Sequence, residues 1–110
     1  MILLKAIIRP SKVDAVTAAL EQLGAGGMTV TEVRGHGKQK GHTAIYRGRE
    51  YTADLLPKAE VEVVVPDSLA DEAVQSIINA ARTGEVGDGR VFAFPVAQSF
   101  HIRLGGLSTD

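Results

Sequence analysis

The chain has no cysteine and no tryptophan, and its aromatic side chains amount to three phenylalanines and two tyrosines. Without cysteine there is no disulfide framework, and a reducing, cytoplasmic compartment fits. No stretch approaches the roughly 20 apolar residues that a membrane-spanning helix needs. The opening "MILLKAIIRP" is interrupted by Lys5 and Arg9, and no small-residue cleavage site follows it, so it reads as structure rather than as a signal. An excess of charge of one sign is also lacking: the formal net charge is −1, which argues against a generic nucleic-acid or membrane-surface binder.

What is present suits one globular domain. A hydrophobic share of 45% is ordinary for a folded chain, and at 110 residues area scaling has folding hide roughly 65% of the unfolded surface. Residues 1–110 are therefore read as a single domain. "ILLKAIIR" (2–9) alternates as a strand, and Pro10 ends it. Ser11 with Asp14 three residues later has the pattern of a capping box, and Val13, Val16, Leu20 and Leu23 follow at helical spacing until "GAGG" (24–27). "MTVTEV" (28–33) is a second strand. "AEVEVVV" (59–65) is a third, stopped by Pro66. Ser68 with Asp71 repeats the capping pattern before a second helical stripe of Leu69, Ala73, Val74, Ile77 and Ala81. A glycine-punctuated turn over 82–90 leads to a fourth strand, "VFAFPV" (91–96), in which Pro95 suits an edge.

The two halves echo each other, and that duplication predicts an α+β, ferredoxin-like βαββαβ sandwich: a four-stranded antiparallel sheet with two helices on one face. Right-handed crossovers put the first and third strands in the centre and the second beside the third. The open face would carry Leu3, Lys5 and Ile7 beside Glu60, Glu62 and Val64, too apolar for a solvated surface and too charged for a core. Two readings remain: a half-wet face with Lys5–Glu pairs across strands, or the interior of an oligomer.

Between the second and third strands lies "GHGKQKGHTAIYRGREY" (35–51), with no apolar period. Four cations, Lys38, Lys40, Arg47 and Arg49, face only Glu50 there, so the segment carries +3 and the rest of the chain −4. A connection this long in a compact domain is usually functional. Tyr46 is expected to pack at the loop base, whereas Tyr51 would be available to a partner or a modifying enzyme.

Candidate chemistry is sparse. In "TGEVGDGR" (83–90), three glycines free successive N–H groups to form an anion-binding nest beside Arg90, although a helix cap followed by a turn explains the same residues. His101 and Arg103, two apart after the fourth strand, would point to one side of an extended chain, with Lys58 as a further cation, and solvated surface charge is the plain alternative. His36, His42 and His101 fit no zinc spacing. No serine or threonine has a histidine and a carboxylate in reach by sequence, so an enzyme is not expected. The central strands show no aromatics of the kind an RNA-recognition sheet displays.

"GKQKGHTAIYRGREY" (37–51) and "TGEVGDGRVF" (83–92), at this separation in a frame of about 110 residues, resemble the PII nitrogen-regulatory signal-transduction proteins. The likeness runs from Met1 to about Arg103. It implies a non-enzymatic homotrimer with ATP or ADP in the clefts between subunits, 2-oxoglutarate bound beside Mg-ATP, and a T-loop (36–54) that docks on an ammonium channel or on a metabolic or regulatory enzyme. By matching position, Thr29 and Val64 would border adenine. Gly87, Asp88, Gly89 and Arg90, in the phosphate-binding B-loop (82–90), would wrap ribose and phosphates, joined by Lys38, His101 and Arg103. Gly37, Gln39, Lys40, Gly41 and Lys58 would hold 2-oxoglutarate, with Gln39 also on Mg. Tyr51 matches the position that many bacterial members uridylylate, and 97–110 forms a C-terminal segment. His101 stands where the family usually has Arg, Glu85 where it usually has Lys, and Arg90 keeps a cation in place of Lys. Those exchanges leave a second reading: a PII-like sensor of ADP or AMP and another small anion, such as bicarbonate, that regulates a different transporter or enzyme.

Overall fold

A computed structural model describes residues 1–36 and 55–108 in full, and the backbone of 43–46 and 49–52. Its first strand, β1 (Ile2–Ile8), buries alternate side chains: Leu4, Ala6 and Ile8 face the helices, while Leu3, Lys5 and Ile7 are half-buried on the other side. A short 3-10 turn at Pro10–Lys12 leads into helix α1 (Val13–Gln22), which buries Val16 and Leu20. Strand β2 is Thr29–Gly35 and strand β5 is Leu56–Val65, with two short strands between them, β3 (Thr43–Tyr46) and β4 (Arg49–Thr52). Helix α2 (Asp67–Ala81) buries Ala73, Ile77 and Ala81. Strand β6 (Gly89–Pro95) completes the main sheet, and β7 (Ser99–His101) pairs with β8 (Gly106–Ser108).

The main sheet has the order β2-β5-β1-β6, antiparallel throughout, with β1 and β5 central. This is the ferredoxin-like sandwich that the duplicated pattern predicts, and Pro95 falls on an edge strand, where its missing N–H interrupts no ladder. The core is one layer of aliphatic side chains. Leu4, Ile8, Val61, Val63 and Val65 of the sheet meet Val16 and Leu20 of α1 and Ile77 of α2, all almost fully enclosed. At about 25 cal/mol per Å² of apolar area removed from water, this layer is the main driving force for folding.

Both predicted capping boxes are absent. Neither helix has a side-chain cap at its N-terminus, because each start is set by proline instead. Pro10 opens the 3-10 turn and places Ser11 inside it, and α2 begins at Asp67 directly after Pro66, which leaves Ser68 within the helix. Proline's fixed φ pre-sets the entry to a helix, so no hydroxyl is needed there. The Asp67 carboxylate instead accepts a hydrogen bond from the Met1 ammonium at 2.7 Å.

The open sheet face is mixed in character. Lys5 sits opposite Glu62 in register, but its ammonium pairs diagonally with Glu60 at 3.3 Å. The same ammonium lies 5.7 Å from the centre of the Phe94 ring, within range of a cation–π attraction. Val64, Phe92 and Phe94 on this face are exposed in the single chain.

The long connection, which shows no apolar period, contains antiparallel pairing: Thr43 opposite Thr52, and Tyr46 opposite Arg49. β-Branched and aromatic residues in "TAIY" favour a pleated backbone. In the C-terminal segment, residues 102–105 form a turn between β7 and β8, closed by the Gly105 N–H donating to the His101 carbonyl at 2.9 Å. Arg103 therefore lies in a turn, and the period-two argument that paired it with His101 does not hold. Gly105 and Gly106 were the available signal for this hairpin.

Candidate functional site

The strands' alternation brings three charged groups together at one end of the open face. Arg9 continues the row Leu3–Lys5–Ile7 with extended backbone (φ −64, ψ 138). Lys58 begins the row Lys58–Glu60–Glu62–Val64, and Asp88 immediately precedes β6. Their side chains converge on the turn between α2 and β6.

Asp88 organises that turn. Its carboxylate accepts hydrogen bonds from the backbone N–H groups of Thr83 and Gly84, each at 2.8 Å, and from the Thr83 hydroxyl. The Arg9 guanidinium donates through Nε to the same carboxylate at 3.1 Å and through Nη2 to the Val86 carbonyl at 2.9 Å. Lys58 Nζ donates to the Gly87 carbonyl at 2.6 Å. Thr83 Oγ1 in turn accepts from the Glu85 N–H at 3.1 Å. The Thr83 hydroxyl and backbone N–H, with the Gly84 N–H and Arg9, hold the Asp88 carboxyl far below the usual carboxylate range. Burial and the nearby Arg9 charge lower the Lys58 ammonium from its ordinary value, opposed by the attraction of Asp88.

Two glycines here answer to geometry. Gly87 has φ +102, a conformation that side chains disfavour. Gly89 has φ +103, and a Cβ on it would stand 1.7 Å from the Ile7 carbonyl oxygen. Part of the predicted nest is thus filled from within, since the N–H groups of Thr83 and Gly84 are taken by Asp88.

Of the residues singled out from sequence, Lys58, Gly87, Asp88, Gly89 and Arg90 are brought to one end of the sheet. Thr29 lies on edge strand β2 opposite Glu62, and Val64 lies opposite Leu3. Strands β5 and β1 separate β2 from β6, so one chain does not join Thr29 to the turn. His101 and Arg103 are exposed on the β7–β8 hairpin. Gly37, Lys38, Gln39, Lys40 and Gly41 lie outside the described residues, and so does the side chain of Tyr51, whose backbone in β4 pairs with Ala44. Sequence reasoning missed Arg9 and Thr83. No local pattern signals the first, because only strand pairing brings Arg9 to the turn.

A groove of about 280 Å³ lies between α2 and β6, floored by Ile8, Val74, Ile77 and Val91 and lined also by Asp88, Gly89 and Arg90 of the turn. Its floor is aliphatic, and Arg82, Asp88 and Arg90 supply its charged lining.

A helix-backed sheet whose clamped, glycine-rich turn meets the root of a long connection defines a small ferredoxin-like domain with one candidate binding turn. The family described as "Nitrogen regulatory protein P-II" matches residues 1–106. "Nitrogen regulatory protein P-II" of Haemophilus influenzae is 50% identical over 107 residues, covering 97% of this chain and 96% of the relative. "Nitrogen regulatory protein P-II 1" of Escherichia coli K12 is 55% identical over 100 residues, covering 91% and 89%. The Klebsiella oxytoca "Nitrogen regulatory protein P-II" is 54% identical over the same length. The chain belongs to the P-II nitrogen regulatory family: it is a signal-transduction regulator of nitrogen metabolism, acting on partner proteins, and not an enzyme. No helix among the described residues is long and apolar enough to cross a membrane.

Proposed function

We propose that this chain senses adenine nucleotide, ATP or ADP, together with 2-oxoglutarate, and reports the result through the 36–54 loop to an ammonium channel or to an enzyme of nitrogen metabolism. The observation that carries this reading is the bond from Lys58 to the Gly87 carbonyl. Lys58 stands where the long connection returns to the sheet, so the loop's root and the candidate phosphate turn share one hydrogen bond. An anion that recruits the Lys58 ammonium would change the state of both, and a ligand with different affinity for two loop arrangements selects one of them. Lys38, Arg90, His101 and Arg103 would supply further cations for phosphates, Thr29 and Val64 the border of the adenine, and Gln39 a ligand for Mg beside ATP. Gly37, Lys40 and Gly41 would complete the 2-oxoglutarate site, and Tyr51 would be the modified residue.

The nucleotide site would lie between subunits of a homotrimer formed through the open sheet face. Support comes from the exposure of Val64, Phe92 and Phe94 beside a paired Lys5–Glu60, because apolar side chains left on an uncovered face mark interaction surfaces. It comes also from the separation of Thr29 from the turn within one chain.

Calorimetric titration with ATP, ADP and AMP, each with and without Mg and 2-oxoglutarate, tests the reading. Nucleotide is expected to bind, and Mg-ATP to raise 2-oxoglutarate affinity. If it does not, nitrogen sensing by this route fails. A mass measurement showing only monomers would remove the intersubunit cleft. Glu85, exposed within the turn, favours the second reading, in which ADP or AMP and another small anion such as bicarbonate are sensed. Repeating the titration with bicarbonate in place of 2-oxoglutarate separates the two.

A further inference from the structure

We infer that Arg9 is a positioning residue: its two-pronged grip on the 83–88 turn aims the backbone N–H groups of Gly87 and Asp88 outward as donors for a ligand's phosphate. The inference rests on the nucleotide-binding reading above and adds to it a residue that neither the glycine pattern nor the cation pattern contains.

The reasoning begins with peptide geometry. No peptide bond in the described chain is cis, and across a planar trans peptide the N–H points opposite to the C=O. The Val86 carbonyl is turned toward Arg9 Nη2 at 2.9 Å, and the Gly87 carbonyl toward Lys58 Nζ at 2.6 Å. Of the N–H groups sharing those two peptide units, that of Gly87 therefore points away from the Arg9 guanidinium and that of Asp88 away from the Lys58 ammonium. Neither donates to another described residue. By contrast the Thr83 and Gly84 N–H groups are consumed by the Asp88 carboxylate. The turn thus has two populations of donors: a pair satisfied by its own carboxylate, and a successive pair with no partner among the described residues. Successive N–H groups aimed in one direction are what an anion-binding nest consists of.

Arg9 links the two populations. Its Nε holds the Asp88 carboxylate at 3.1 Å while Nη2 holds the Val86 carbonyl, so one planar fork fixes the carboxylate and the Val86–Gly87 peptide together. A lysine supplies a point charge but not two donors in fixed relation. Lys58 fixes the Gly87–Asp88 peptide. Because Lys58 is also proposed to meet 2-oxoglutarate, Arg9 is the grip that would stay in place when that ligand binds.

The test uses the full chain and three proteins: wild type, Arg9→Lys and Arg9→Met. ADP affinity is measured by titration, and the amide signals of Gly87 and Asp88 are followed by NMR with ADP and, separately, with inorganic pyrophosphate. In the wild type both amides are expected to shift on adding either probe. In both variants the shift should be lost, with ADP affinity falling roughly ten-fold, the scale of one charge-assisted hydrogen bond, while signals from the helices stay in place. Wild-type affinity in Arg9→Lys would show that charge alone matters and overturn the fork's role. Unchanged affinity in Arg9→Met would overturn the inference entirely. Should Arg9→Met not fold, Arg9→Lys decides. If the wild type fails to bind ADP, the nucleotide reading falls. The pyrophosphate arm then decides this inference: a wild-type shift that Arg9→Lys loses supports it, and any other result overturns it.

Discussion

Each half of this fold leaves its helix through a glycine-rich turn, and the two turns are built to different standards. The first, "GAGG" (24–27), is a simple helix end: the Gly24 N–H bonds to the Glu21 carbonyl at 2.9 Å and the Ala25 N–H to the Leu20 carbonyl at 3.1 Å, with Gly24 at φ +80. That is the double hydrogen-bond pattern of a Schellman motif. Gly24, Gly26 and Gly27 look out on open space, and among the described residues no side-chain hydrogen bond reaches them. The second, 82–89, is held by Asp88, Thr83, Arg9 and Lys58, and by a glycine with no room for a methyl group. The same topological task is done once with backbone alone and once with a polar network far beyond what a turn needs. The excess is what the proposed nucleotide reading would assign to the second turn.

The sharpest way to break this comparison is to add a methyl group to each turn. Gly89→Ala would place Cβ 1.7 Å from the Ile7 carbonyl oxygen at φ +103, forcing β6 from β1, and is expected to cost about 4 kcal/mol or prevent folding. Gly24→Ala, also at positive φ but with nothing within 4 Å, should cost only about 1–2 kcal/mol, the penalty of the left-handed conformation. Urea denaturation midpoints at constant slope give both values. Equal costs would mean that the second turn is no tighter than the first.

The next test uses acid. The Asp88 carboxyl is held far below its ordinary value, so the folded state binds its proton less readily than the unfolded chain, whose value is about 3.9. The stability that Asp88 contributes is therefore complete well above that value and is lost progressively as pH falls through it toward the depressed folded value. Asp88→Asn should be less stable than wild type at pH 7, and the gap should narrow as pH drops below about 4. The first turn has no such group, so Asp14→Asn at the exposed start of α1 should show a much smaller gap. Unfolding curves from pH 7 down to acid measure this, and a pH-independent gap for Asp88→Asn would count against an ionised carboxylate at the turn's centre.

These residues also show what a sequence can and cannot disclose here. The strands and helices were legible because Leu4, Ala6, Ile8 and Val61, Val63, Val65 keep a strict period of two, and Val16, Leu20, Ala73 and Ile77 a helical one, and burial follows those periods. The echo of the halves then fixed the strand order. The helix starts were misread because local hydroxyl patterns at Ser11 and Ser68 competed with Pro10 and Pro66, and the prolines set the backbone first. The glycine turn was visible as a motif, but its clamp was not. Arg9, Lys58 and Asp88 come from three separated segments, and only the registers of β5 and β6 against β1 bring them to one end. Nothing local to Arg9 announces that its fork spans Asp88 and Val86.

The smallest effect separates a structural hydroxyl from an incidental one. Thr83 Oγ1 donates to Asp88 and accepts from the Glu85 N–H, so Thr83→Val removes a donor from an ionised carboxylate and an acceptor from a backbone N–H while nearly preserving shape. The expected cost is about 1–2 kcal/mol, since bonds to charged groups exceed the neutral average but an exposed turn lets water replace part of the loss. Thr17 offers the control in the first half. Its hydroxyl donates at 3.2 Å to the Asp14 carbonyl on the surface of α1, a bond of the kind that slightly disfavours a helix, so Thr17→Val should change stability by less than about 0.5 kcal/mol. Thr83→Val should also raise the Asp88 carboxyl toward its ordinary value, because that hydroxyl is the largest cause of the depression. The acid-induced loss of stability described for the wild type would then become shallower in Thr83→Val and stay unchanged in Thr17→Val. A Thr83→Val protein with the wild-type acid profile would show that Asp88 is held by Arg9 and the backbone alone, and that the second turn's excess is one bond smaller than its geometry indicates.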